Sequence, residues 1–168
     1  MNQVKTVLLL FFFASKLHGQ NYIQYQRTFN RIEDDAWKAR SEARCLIAEN
    51  ERFALQDLGK MNANDTAALK KKADIVATAT DSLERAIEDI AKDKPVGPKG
   101  QELVPQWISD YRIYIQNRRQ FVDKLRTAST RPFFSETEVE GVPISERIGK
   151  FARENDMRTC QPPLDLSV

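Results

Sequence analysis

Residues 64–92 read NDTAALKKKADIVATATDSLERAIEDIAK. Leu69, Ala73, Val76, Thr80, Leu83, Ile87 and Ile90 recur at intervals of three and four, so they share one stripe of a helix. The spacing is close to a heptad repeat, which suits packing against a neighbouring helix. Asn64 or Asp65 supplies the N-terminal cap, and the periodicity stops near Lys92. Lys70, Lys71 and Lys72 oppose the helix dipole in the first turns and read as a solvated face.

Two further helices flank this one. Upstream, Tyr25, Phe29, Ile32, Ala36, Ala39, Ala43, Leu46 and Phe53 step by threes and fours, with a gap at Asn50. They predict a helix from somewhere between Tyr22 and Ile32 to about Leu58, with Gly59 as its C-cap. Asn30 and Glu33 have the spacing of a capping box, which allows a break there. Downstream, Pro95, Gly97, Pro98 and Gly100 mark a loop, and Pro105 suits the first position of a third helix. Trp107, Ile108, Tyr111, Tyr114, Ile115, Val122 and Leu125 give that helix a broad apolar face. The expected fold is mainly α, a three-helix up-down-up bundle over 20–128. Residues 129–168 form a small C-terminal cap of the same domain. In it Phe133 to Val139 is extended, Glu140-Gly141 makes a turn or small hairpin, Ser145 caps a short helix, Asn155 ends it, and Pro162-Pro163 keeps the end extended.

Lys5, the apolar run Val7 to Ala14, and the polar exit Leu17-His18-Gly19-Gln20 have the layout of a signal peptide over 1–19. The run is too short for a bilayer span of ~20 residues. Removal after about Gly19 gives a secreted or cell-envelope protein. Retention gives a short N-terminal membrane anchor. The two cysteines, Cys45 and Cys160, fit an oxidising compartment, where they either form a disulfide or stand as buried thiols. Without 1–19, which carries Lys5 and Lys16, the 26 basic residues fall to 24 and equal the 24 acidic ones. A neutral chain without a basic block is a poor partner for nucleic acid.

His18 is the only histidine, so a chain without 1–19 lacks the imidazole used by Ser-His-Asp and Cys-His nucleophiles and by histidine zinc sites. No nucleotide motif is present, and no metal, cofactor or catalytic residue is assigned. The carboxylate groups read as structural: Glu33-Asp34-Asp35 at a helix start, Glu84 and Glu88 on a solvated face, and Glu136, Glu138 and Glu140 on one strand face. The densest polar-aromatic cluster is Trp107, Asp110, Tyr111, Arg112, Tyr114 and Arg118. It is either a structural clamp or a partner or ligand surface whose arginine holds an acidic group. Arg118 falls within the apolar stripe and requires an acceptor: a carboxylate of the first or second helix, or carbonyls of the cap.

Residues Val104 to Ile115, and the tail from Gly141 to Ile148 on through Phe151, Asn155, Met157, Cys160 and Pro162-Pro163, resemble small cell-envelope proteins of actinobacteria to which no activity is assigned. The similarity covers about Ala36 to Leu166. It implies an extracytoplasmic helical domain and no reaction. Such proteins usually begin with a longer membrane segment than this chain carries. The functional expectation is a binding or structural protein with an unknown protein or envelope partner. The alternatives are an extracytoplasmic carboxylate-dependent enzyme and a lipid or small-ligand carrier.

Overall fold

The computed structural model describes residues 30–55 and 64–166. The expectations for 1–19, Tyr25, Phe29 and Gly59 lie outside them. The chain is mainly helical with one small two-stranded sheet. In order come α1 (Asp35–Ala54), α2 (Thr66–Lys92), α3 (Pro98–Thr127), β1 (Glu138–Val139), β2 (Val142–Pro143), α4 (Ile144–Glu154) and a 3-10 turn (Arg158–Cys160). The stretch Ile32–Val168 is one compact unit.

Helix α2 follows its sequence pattern. The Asp65 side chain accepts from the Ala67 and Ala68 amides, and all seven stripe residues are buried. Neighbouring helices are joined along this axis. Arg40 and Arg44, early in α1, bind Asp93 at the end of α2, while Glu51 late in α1 meets Ser82 and Arg85. Along α3, Arg112 binds Glu88, Arg119 binds Asp81 and Glu84, and Arg126 binds Asp74.

Helix α1 departs from expectation in register, while its start follows the break that Asn30 and Glu33 allowed, which falls over 31–34. It begins at Asp35, because the Asp34 side chain caps it by accepting from the Trp37 amide at 2.9 Å. The other Asp34 oxygen accepts from the Val96 amide at 2.8 Å, and these two backbone bonds hold its carboxyl below the usual range. Trp37, Ser41, Cys45 and Ala48 face the core. The predicted stripe of Ala36, Ala39, Ala43, Leu46 and Phe53 is exposed instead. Burial decides this. A tryptophan removes ~150–250 Å² from water, far more than alanines can, and Cys45 must face Cys160.

Helix α3 starts at Pro98, about two turns earlier than expected. Gly97 takes the cap position at φ 92°, a left-handed conformation, and Pro98 occupies the first turn. Pro105 therefore lies inside the helix. Interior proline costs ~3 kcal/mol in general. Here Pro105 and Gln101 are both exposed, so water can reach the carbonyl left without a donor. The early turns bury Val104 and seat Gly100 against Pro95, where a Cβ would approach the proline ring to 2.9 Å.

In the tail, Glu140 and Gly141 both have positive φ, 55° and 76°, and close the hairpin that pairs Val139 with Val142. Ser145 does not cap α4. It sits inside the helix, and its amide and hydroxyl both bond the Glu136 carboxylate, at 2.8 and 2.9 Å. The cap thus comes from the preceding extended segment. Asn155 ends α4 as expected, and its side chain also accepts from the Ile32 amide.

Candidate functional site

The C-terminal segment is tied down at several independent points. Cys45 and Cys160 stand at disulfide distance, with sulfurs 2.02 Å and Cα atoms 5.1 Å apart. The Thr159 amide and hydroxyl donate to the side chain and backbone of Glu42. The Tyr111 hydroxyl donates to the Cys160 carbonyl at 2.7 Å, and that of Tyr114 to the Pro163 carbonyl at 3.2 Å. Arg118 donates two bonds to Asp165, at 2.8 and 2.9 Å, and a third to the Thr80 hydroxyl at 2.9 Å.

These contacts locate the six-residue cluster. Trp107, Tyr111, Tyr114 and Arg118 are buried, so they are not an open surface for a partner or ligand. Trp107 stacks on Phe151 of α4 and meets Trp37 and Tyr111 edge-on. Asp110 binds Arg147 of α4, and Arg112 binds Glu88 of α2. The six join four different neighbours to α3, namely α1, α2, α4 and the C-terminal segment, and form no common face. Burial would draw the Arg118 pKa down, but Asp165 and Tyr114 outweigh it and raise it. Burial pushes the Tyr111 and Tyr114 hydroxyls up, so both remain donors. The Arg118 guanidinium lies 5.9 Å from the Tyr114 ring centre. Its acceptors differ from those expected: the acid is Asp165 of the tail, with the Thr80 hydroxyl of α2 beside it. A lone aspartate near a chain end carries no periodicity, so nothing in the sequence singled it out.

With the cluster turned inward, the concave surface lies on the other side of the tail. A groove of about 570 Å³ runs between α1, α4 and residues 158–165. Its lining includes Arg52, Phe53, Arg153, Arg158, Pro162 and Leu164, with Cys45 behind. Phe53 and Leu164 are 52% and 82% exposed. Arg52 lies 4.2 Å from the centre of the Phe53 ring and pairs with Glu49, and Arg153 pairs with Glu146. Arg158 is exposed and has no acidic partner among the described residues.

The carboxylates on which the enzymatic alternative would draw are in use. Glu84 and Glu88 bind different arginines of α3, and Glu136 binds Ser145. Among the described residues no cluster of three His, Cys, Asp or Glu side chains is placed to hold a metal ion, and no helix is long and apolar enough to cross a membrane. The site and fold together define a mainly helical domain whose disulfide-tied tail walls a groove. No protein-family model, curated protein or solved structure matches the chain.

Proposed function

We propose that the chain works outside the cytoplasm as a binding or structural protein, an up-down-up helical bundle that docks a partner in the groove beside Cys45–Cys160. The antiparallel sense of the bundle is supported by the ion pairs that join opposite ends of α1 and α2 and of α2 and α3. Export is supported by the layout of residues 1–19 together with a cysteine pair at disulfide distance.

One observation carries the docking reading: exposed Phe53 and Leu164 flank a concave surface that also presents the uncompensated Arg158. Apolar side chains beside one cation that lacks an acidic partner among the described residues fit an extended peptide segment that brings one apolar residue and one carboxylate. An enzymatic reading has less support, because Glu84, Glu88 and Glu136 already serve as ion-pair and cap partners. A carrier reading has less as well, since charged side chains line much of the groove.

The test compares wild type with the double variant Arg158→Glu, Leu164→Glu as bait against the envelope fraction. Both side chains are exposed, so the melting temperature stays within a degree or two. A partner retained by wild type and lost by the variant supports the groove. Equal capture by both would remove it from consideration.

A further inference from the structure

Helix α1 carries an apolar seam that its own fold leaves unused. Its core face is centred on Trp37, Ser41 and Cys45. At about 100° per residue, Ala39, Ala43, Leu46 and Asn50 lie on the opposite side, and all are exposed. Leu46, Ile47 and Phe53 are 45%, 60% and 52% exposed, so the face includes three large apolar side chains. Singly exposed apolar residues are ordinary; a run of them at regular helical spacing is not.

The spacing names the kind of occupant. Ala36, Ala39, Ala43, Leu46, Asn50 and Phe53 follow strict intervals of three, four, three, four and three. That is a heptad seam, with Ala36, Ala43 and Asn50 at a positions and Ala39, Leu46 and Phe53 at d positions. A period of 3.5 belongs to a helix that packs along another helix over its length. Small alanines let the two backbones approach, while Leu46 supplies buried area and Phe53, which also lines the groove beside Cys45–Cys160, closes the end of the seam.

We propose that a second copy of this chain covers the face, with the two α1 helices parallel and in register. Charge and polarity select this arrangement. The parallel pairing brings Asp35 of one copy, which pairs with Lys38 of its own chain, beside Arg40 of the other, which holds Asp93; their side chains are 89% and 49% exposed, so the contact adds to these pairs. It also sets Asn50 against Asn50, so each amide gains a partner. The antiparallel pairing sets Glu42 of each copy against Glu49 of the other, two like-charge contacts, and buries Asn50 against Ala39. A polar residue at an a position is a known device for fixing register. The seam spans only two and a half heptads, so the association is weak and reversible, in the micromolar range rather than the nanomolar.

Sedimentation equilibrium of the full chain tests the proposal. Wild type shows a monomer–dimer equilibrium. Leu46→Glu weakens association by roughly tenfold or more with a nearly unchanged melting temperature, because Leu46 is 45% exposed and belongs to neither core cluster of the described residues. Asn50→Cys, oxidised mildly, gives a covalent dimer, since parallel pairing puts the two sulfurs within reach while antiparallel pairing does not. The proposal is overturned by a chain that stays monomeric at hundreds of micromolar, by a dimer that Leu46→Glu leaves intact, or by a dimer that Asn50→Cys fails to cross-link. Vesicles of phosphatidylglycerol and phosphatidylcholine provide the remaining arm. A monomer that binds them through Leu46 would make the face a lipid contact and overturn self-association.

Discussion

Replacing Asp165 by alanine removes the only carboxylate bonded to Arg118 among the described residues. The guanidinium is fully buried, while Asp165 retains about 10% exposure, so the cation cannot turn to water when its partner goes. Breaking a buried pair from one side costs ~3–5 kcal/mol. For a domain of this size that corresponds to a fall of roughly 6–20 °C in Tm. Arg118→Leu is the informative contrast. It removes the buried charge, keeps an apolar side chain in the core, and leaves Asp165 at an edge where water reaches it. The Thr80 hydroxyl keeps its bond to the Val76 carbonyl, so no orphan donor is created. That variant loses only ~1–2 kcal/mol. The double variant resembles Arg118→Leu alone, because the penalty belongs to the unpaired cation. Urea unfolding followed by circular dichroism measures all three. If Arg118→Leu is as damaging as Asp165→Ala, or if the two losses simply add, the account of the pair as a compensated buried charge fails.

The remaining predictions concern other ties. Cys160→Ser opens a cross-link spanning 115 residues and lowers stability by ~4–5 kcal/mol, chiefly by freeing the unfolded chain; limited proteolysis still finds the native tail protected, since Tyr111, Tyr114 and Arg118 hold it, and rapid clipping at 158–166 would contradict this. Arg40 and Arg44 hold the Asp93 carboxyl down to about 2. A depressed carboxylate contributes stability above its unfolded pKa near 3.8 and loses it as pH falls toward 2. Asp93→Asn therefore costs ~1 kcal/mol at neutral pH, reduced for partial solvent access, and the gap in Tm from wild type closes between pH 4 and pH 2. A gap independent of pH would argue against the ion pairs. Gly141→Ala costs about 1 kcal/mol, wholly conformational, because φ is 76° and a Cβ there meets nothing within 4 Å; thermal melting with no change would show the turn can relax.

Much of the helical layout was legible because it rests on local chemistry. Asp65 caps α2 and its stripe is buried because a 3.6-residue period and a carboxylate at the first turn act over a few residues. The Glu140-Gly141 turn and the end of α4 at Asn155 are equally local. Helix α3 shows the limit: Pro98 and Pro105 both suit a first turn, and only the seat of Gly100 against Pro95 decides that the helix starts at the earlier one.

Other features depended on competition between distant groups. The α1 stripe was real, but periodicity cannot say whether a regular apolar face meets the chain's own core or remains outside. Trp37 and the reach from Cys45 to Cys160 decide that, over a separation of 115 residues. Arg118 announced by its position that it needed an acceptor. Which acceptor was settled by the path of the tail, which brings Asp165 to the buried Arg118 guanidinium. The sequence alone thus determined the helices, the turn and the need for a buried partner, because these follow from short-range geometry and desolvation. Only the tertiary structure decided which faces are covered and where the groove lies, because burial is a contest among surfaces that meet after the chain has folded.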